Sequence, residues 1–173
     1  AYSDSRGIPQ ARAAVAEHYR RWGVPGIRAE DVFLGNGVSE LITLVLQAMV
    51  DPGDEILVPA PDYPTWTGAV NLTGGVPVHY LADESDGWNP SLADIESKIT
   101  PRTTALVVIN PNNPTGAVYS AETVRGMVDI ARRHGLVLLS DEIYEKVIFS
   151  GARHHHAALA AGDECCSGGD GLA

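Results

Sequence analysis

Cysteine is scarce in this 173-residue chain: there are two, Cys165 and Cys166, side by side. Neighbouring cysteines rarely bridge and two alone do not complete a metal site, so neither a disulfide framework nor a thiolate centre is expected. No run of about 18 apolar residues occurs, which argues against a membrane-spanning helix. Positive charge is also short. Lys and Arg total 12 against 22 Asp and Glu, and the net charge of −10 would repel a nucleic-acid partner. Residues 1–20 lack the basic-then-apolar order of a secretory signal, so a cytoplasmic protein is expected. The opening Ala1-Tyr2-Ser3 has no initiating methionine and suggests a cut N-terminus. Lysine is nearly absent: the only two are Lys98 and Lys146.

What is present is alternation. A chain of this length suggests one domain, and apolar residues make up 45% of it, an ordinary share for a globular fold. Pro9 to Trp22 reads as a helix with Ala13, Ala14, Val15 and Tyr19 as its apolar stripe and Arg12, Glu17, Arg20 and Arg21 in water. Val32-Phe33-Leu34 reads as a short strand, followed by a long apolar helix from Ser39 to Val50 that Asp51-Pro52-Gly53 stops. Strands are expected over Glu55–Val58, Val76–Leu81, Ala105–Ile109 and Leu136–Leu139. Helices are expected over Tyr63–Leu72, Leu92–Ile99 and Ser120–His134, the last capped by Ser120. The continuous apolar run Ala105–Ile109 is the pattern of a strand covered on both faces. The predicted fold is therefore α/β, three layers with a mostly parallel sheet.

In open parallel sheets ligands bind beyond the carboxyl ends of the strands, and the candidate residues all fall at such places. Gly35-Asn36-Gly37-Val38-Ser39-Glu40 leads into a helix. The backbone amides of Gly37, Val38 and Ser39 with the Ser39 hydroxyl suit a phosphate, or the turn is plain and Ser39 a cap. Glu40 stands where a dinucleotide fingerprint needs its third glycine, so a nicotinamide site is excluded. Tyr63 offers a ring that stacks on a ligand or simply packs. Asn113, between Pro111 and Pro114, has a stiff backbone that suits a donor to a fixed oxygen, or an Asx-turn. Asp141 follows an apolar strand, where a partly desolvated carboxylate either raises its pKa or finds a cation. Tyr144 lies just past it. His154-His155-His156 reads as a solvated run with no metal, because consecutive residues of an extended chain point to opposite faces.

The strings Asn110-Pro111-Asn112-Asn113-Pro114-Thr115-Gly116 and Ser140-Asp141-Glu142-Ile143-Tyr144, with Asp83-Glu84-Ser85 and Trp88, resemble the class I/II, fold type I aminotransferases that use pyridoxal 5'-phosphate (PLP), the alanine aminotransferase branch in particular. The resemblance implies a PLP-binding large domain, incomplete here, and an amino acid and a 2-oxo acid as substrates. It implies Gly37, Val38 and Ser39 under the cofactor phosphate, Tyr63 over the pyridine ring, Asn113 and Tyr144 on the 3'-oxygen, and Asp141 on the pyridine nitrogen. Tyr2 resembles the tyrosine that reaches the phosphate of the neighbouring subunit, which implies a homodimer. The family continues past Asp163 into Gly-Leu-Ser-Lys, whose lysine forms the Schiff base; here Gly171-Leu172-Ala173 stand in that register and neither lysine matches. The expectation is a partial domain over 1–163, a divergent, disordered tail over 164–173, no catalytic residue, and an inactive fragment. Sheet faces beside Val107, Val108, Leu138 and Leu139 are expected to lie exposed. Two alternatives stay open: another enzyme of this PLP fold, such as a carbon–sulfur lyase or a carbon–carbon-bond-forming enzyme, and a non-catalytic truncated product.

Overall fold

The apolar run that ends in Ile109 becomes an inner strand of a five-stranded sheet. The computed structural model describes residues 4–149 and 151–162; Tyr2, Cys165, Cys166 and the tail expected to be disordered lie outside them. The strands are β1 (Glu55–Ala60), β2 (Val76–Asp83), β3 (Asn89–Pro90), β4 (Thr103–Ile109) and β5 (Val137–Asp141), in the order β3-β2-β1-β4-β5. β2, β1, β4 and β5 run parallel, and β3 runs antiparallel to β2. The helices are α1 (Pro9–Arg21), α2 (Val38–Met49), α3 (Pro64–Leu72), α4 (Leu92–Ser97), α5 (Ala121–His134) and α6 (Ala157–Ala161).

Strand alternation sorts the core into two halves. Ile56 and Val58 of β1 and Ala105, Val107 and Ile109 of β4 pack with Ile42 and Leu46 of α2 and Trp66 and Val70 of α3. Leu57, Leu106 and Val108 face the other way, onto Ile95 of α4 and Val124, Met127 and Ile130 of α5. The result is the expected three-layer α/β/α arrangement. Val107 and Val108 are buried, contrary to the exposed patch expected beside them, because helices cover both faces of β4; Leu138 and Leu139, on the edge strand, are half-buried.

Several local expectations fail for identifiable reasons. Val32-Phe33-Leu34 forms no strand: Leu34 N–H donates to Arg6 O at 2.9 Å, so the triplet pairs with a loop and Phe33 stays exposed. On α1 the buried residues are Arg12 and Ala16, while Ala13 and Ala14 face out. Arg12 is buried because its two terminal guanidinium nitrogens reach Ala29 O and the Asp4 carboxylate, both at 3.3 Å, which offsets the loss of water although Nε has no partner. Among the described residues no helix is long and apolar enough to cross a membrane.

The α5 cap is as predicted. Ser120 Oγ accepts from Thr123 N–H at 3.0 Å, and Gly135 closes the helix in the left-handed region at φ 65°. Ser120→Ala should lower unfolding stability by about 0.5–2 kcal/mol. An unchanged denaturation midpoint would show that the cap contributes nothing.

Glu55, buried at the start of β1, gathers the Thr100 hydroxyl and the Arg102 guanidinium, with Thr103 Oγ1 at 3.4 Å. These hold its carboxyl below the ordinary glutamate value, the Thr100 hydrogen bond most and burial opposing. A depressed folded-state pKa gives stability that is present above the unfolded value and lost as pH falls through the folded one. Glu55→Gln should therefore flatten the acid limb of the stability–pH curve. Thermal unfolding across that limb checks this, and a curve parallel to that of the parent would remove Glu55 from acid sensitivity.

Candidate active site

Parallel pairing brings the carboxyl ends of β1, β4 and β5 to one edge of the sheet. β2 and β4 flank β1 on opposite sides, so the chain reverses its direction of travel there, the place where such sheets hold ligands. Tyr63 follows β1 and immediately precedes α3, Asn113 follows β4, Asp141 ends β5, and Tyr144 lies in the turn beyond it. Together with Val38, Ile109 and Ile143 these four line one cavity of about 100 Å³. A larger cleft of about 750 Å³ shares Val38, Asp141 and Ile143 with it and adds Gly37 and Lys146. The small cavity lies below the size range of ligand sites and the cleft lies within it, so an aromatic phosphate would need both.

Asp141 is 6% exposed. Its Oδ2 accepts from Trp66 Nε1–H at 3.1 Å, while Oδ1 has a long contact of 3.4 Å from Ile143 N–H. One oxygen is thus committed and the other is left to a further donor. The backbone is held too, since Asn110 N–H donates to Asp141 O at 3.0 Å and ties the end of β5 to that of β4. Trp66 is the residue that sequence reasoning passed over, although it stands one helical turn beyond Tyr63 and so on the same side of α3.

At the start of α2, Gly37 has φ 93° and no side chain caps the helix, so its first amides face outward uncapped. A Cβ on Gly37 would meet nothing within 4 Å, so the glycine serves the backbone conformation rather than a close approach. The expected alternative, Ser39 as a cap, is not what forms; Ser39 lies in the first turn, and its hydroxyl is 3.3 Å from the Tyr63 hydroxyl. That hydrogen bond, with one to Thr65, holds the Tyr63 phenol below its ordinary pKa, against burial and the Asp141 charge. Asn113 is half-buried, and both Asn110–Pro111 and Asn113–Pro114 are cis. Asn112 takes the Asx-turn role considered for Asn113, its Oδ1 accepting from Thr115 N–H and Oγ1–H at 3.2 and 2.8 Å.

The lysines sit differently. Lys98 Nζ donates to the Asp94 carboxylate and to His79 O, both at 2.6 Å, on the other face of the sheet. Lys146 is largely exposed and pairs with Glu145 at 3.7 Å at the rim of the large cleft.

The histidine run is not solvated as expected. His154 and His156 have side chains only 6% and 8% exposed, and both meet the Glu142 carboxylate. An extended chain turns residues i and i+2 to one side, and that signal was available in the spacing.

The sequence pattern of aminotransferase class I and II matches residues 1–169. Alanine aminotransferase of Mycobacterium bovis is 58% identical over 172 residues, covering 99% of this chain and 40% of that protein. Glutamate-pyruvate aminotransferase AlaA of Escherichia coli is 54% identical over 162 residues, covering 94% of this chain and 40% of that protein. The fold superposes on a crystal structure of an Escherichia coli aminotransferase with a TM-score of 0.90 and 54% identity, over 92% of this chain and 40% of that one. This chain thus spans about 40% of the length of the curated relatives it matches. With the strand-end cavity, the uncapped start of α2 and the sheet order, these likenesses place the chain: it belongs to the aminotransferases of class I and II.

Proposed function

We propose that this chain is the PLP-holding part of an aminotransferase that moves an amino group from alanine to 2-oxoglutarate, in a cytoplasmic homodimer, with residues 1–163 as part of the large domain. The observation that carries the reading is Asp141: a buried carboxylate at a strand end, fixed through one oxygen and open at the other, facing a cavity shared with Tyr63, Asn113 and Tyr144.

The residues present fit such a cofactor. The amides of Gly37, Val38 and Ser39 and the Ser39 hydroxyl would hold its phosphate at the start of α2, where the helix dipole adds to their attraction. Tyr63, anchored to Ser39, would cover one face of the ring and exclude water. Asn113 and Tyr144 would donate to the ring oxygen. Asp141 Oδ1, met only by the long contact from Ile143 N–H, would accept the ring N–H and hold a proton on that nitrogen. Tyr2, outside the described residues, would reach the phosphate of the second subunit. Bound there, the cofactor supplies an electron sink for charge that develops on the amino acid.

Neither lysine is assigned the role of covalent anchor, since Lys98 is engaged on the other sheet face and Lys146 pairs with Glu145 at the cleft rim. The chain by itself is therefore expected to bind PLP non-covalently and to give no turnover of alanine with 2-oxoglutarate. A coupled pyruvate assay checks this, and a rate above that of free PLP would overturn it. The reaction class is tested by grafting residues 4–162 onto the remainder of the Escherichia coli relative. Amino exchange with alanine and glutamate is expected; release of a sulfur leaving group or carbon–carbon bond formation would favour the other PLP chemistries.

A further inference from the structure

Glu142 stands beside Asp141 on the lining of the large cleft but not of the small cavity, and its carboxylate meets two histidines. Its Oε1 accepts from Ser140 Oγ–H at 2.8 Å and from Ala157 N–H at 3.0 Å, at the start of α6. These two bonds fix the carboxylate and leave Oε2 to His154 and His156. His154 Nε2 lies 3.0 Å from Oε2, His156 Nδ1 contacts the same oxygen, and the two ring nitrogens are 3.2 Å apart. The group is held from outside as well. The Trp22 ring lies 3.9 Å from that of His156, and Asn110 Nδ2–H donates to His155 O at 3.3 Å.

No arrangement of protons suits all three contacts. If both nitrogens donate to Oε2, the two carboxylate bonds are made but the nitrogens are left as two donors crowded to 3.2 Å with no bond between them. If one is bare, its lone pair faces a carboxylate oxygen. A cation at the centre gives Oε2 and both facing nitrogens a shared partner, with His154 Nδ1 still buried without one. Metal–ligand bonds of about 2.0–2.1 Å in a tetrahedron place ligand atoms roughly 3.3 Å apart, close to the 3.0 Å between His154 Nε2 and Oε2 and the 3.2 Å between the ring nitrogens. His156 Nδ1 would have to draw back from Oε2 to admit the ion. Glu145 Oε2, 4.0 Å from His156 Nδ1, stands where a fourth ligand would come from.

We propose that Glu142, His154 and His156 form a divalent-cation site, completed by Glu145, whose nitrogen and oxygen donors suit zinc. The ion clamps the segment from His154 to Ala157 onto the turn that follows Asp141. The ligands are separate from every residue assigned to PLP, so the site stands or falls apart from the cofactor reading.

Zinc titration by calorimetry tests it, in a chain carrying Cys165→Ser and Cys166→Ser so that thiols do not capture the metal. One zinc per chain is expected, with a tetrahedral absorption spectrum when cobalt(II) replaces it. Glu142→Gln and His156→Asn should each weaken zinc binding by more than about tenfold, the loss reached by removing even an outer partner of a ligand. His79→Asn, at an exposed histidine, should leave it unchanged. Should the variants unfold, nitrogen-15 spectra of the histidine rings in the parent decide: zinc must move His154 Nε2 and His156 Nδ1 to the metal-bound range. No saturable uptake, equal affinity in folded variants, or zinc shifts confined to His18, His79 or His134 would each overturn the proposal.

Discussion

Replacing Asp141 by asparagine is expected to weaken PLP binding by roughly 10- to 150-fold. Asparagine keeps an oxygen for Trp66 Nε1–H, so the packing of the site should survive. It removes the negative charge that a protonated ring nitrogen would pair with, and hydrogen bonds to charged groups contribute about 1.5–3 kcal/mol. At about 1.4 kcal/mol per tenfold, that range gives the stated loss. The chain has three tryptophans, and Trp66 contacts Asp141 directly, so quenching of tryptophan fluorescence during a PLP titration reads the affinity. Equal affinities for parent and variant would remove Asp141 from the role of counter-charge. Ser39→Ala should cost less, because the neighbouring backbone amides remain.

Trp66→Ala is expected to destabilise the fold by about 3–5 kcal/mol, the range for truncating a buried large aromatic. Trp66 is 4% exposed and belongs to the core half formed with α2, β1 and β4. Trp66→Phe separates its two contributions. It keeps most of the packing and removes the N–H, leaving Asp141 Oδ2 without that donor at a cost of about 1–3 kcal/mol. Urea unfolding of the three proteins should rank parent, Trp66→Phe and Trp66→Ala in falling order with similar slopes. If Trp66→Phe matched the parent, the Trp66–Asp141 hydrogen bond would contribute nothing to stability.

The site was legible to different depths. Asn113, Asp141 and Tyr144 were readable because each follows an apolar run whose end sets its place at one sheet edge. Trp66 was missed because nothing local marks it; its partner Asp141 is 75 residues away, and only the parallel register of β1, β4 and β5 brings the two together. Arg12 was misassigned because helical periodicity ranks residues by polarity. It does not see that Asp4 and the carbonyl of Ala29 fold back over the guanidinium. The triplet Val32-Phe33-Leu34 has strand-like residues, yet strand identity depends on a neighbouring strand, and its neighbour at Arg6 is a loop.

By itself the sequence determined the α/β alternation, the sheet-end position of the candidate residues and the likeness to PLP aminotransferases. Those features follow from short-range patterns: short continuous apolar runs, Gly and Pro at turns, and two strings of residues beyond strand ends. Tertiary structure alone decided which oxygen of Asp141 is held by Trp66, that Lys98 faces away from the cavity, and that Glu142 meets His154 and His156 in a buried cluster. These depend on contacts between segments distant in the chain, where burial and partner geometry fix a polar side chain's environment rather than its own identity.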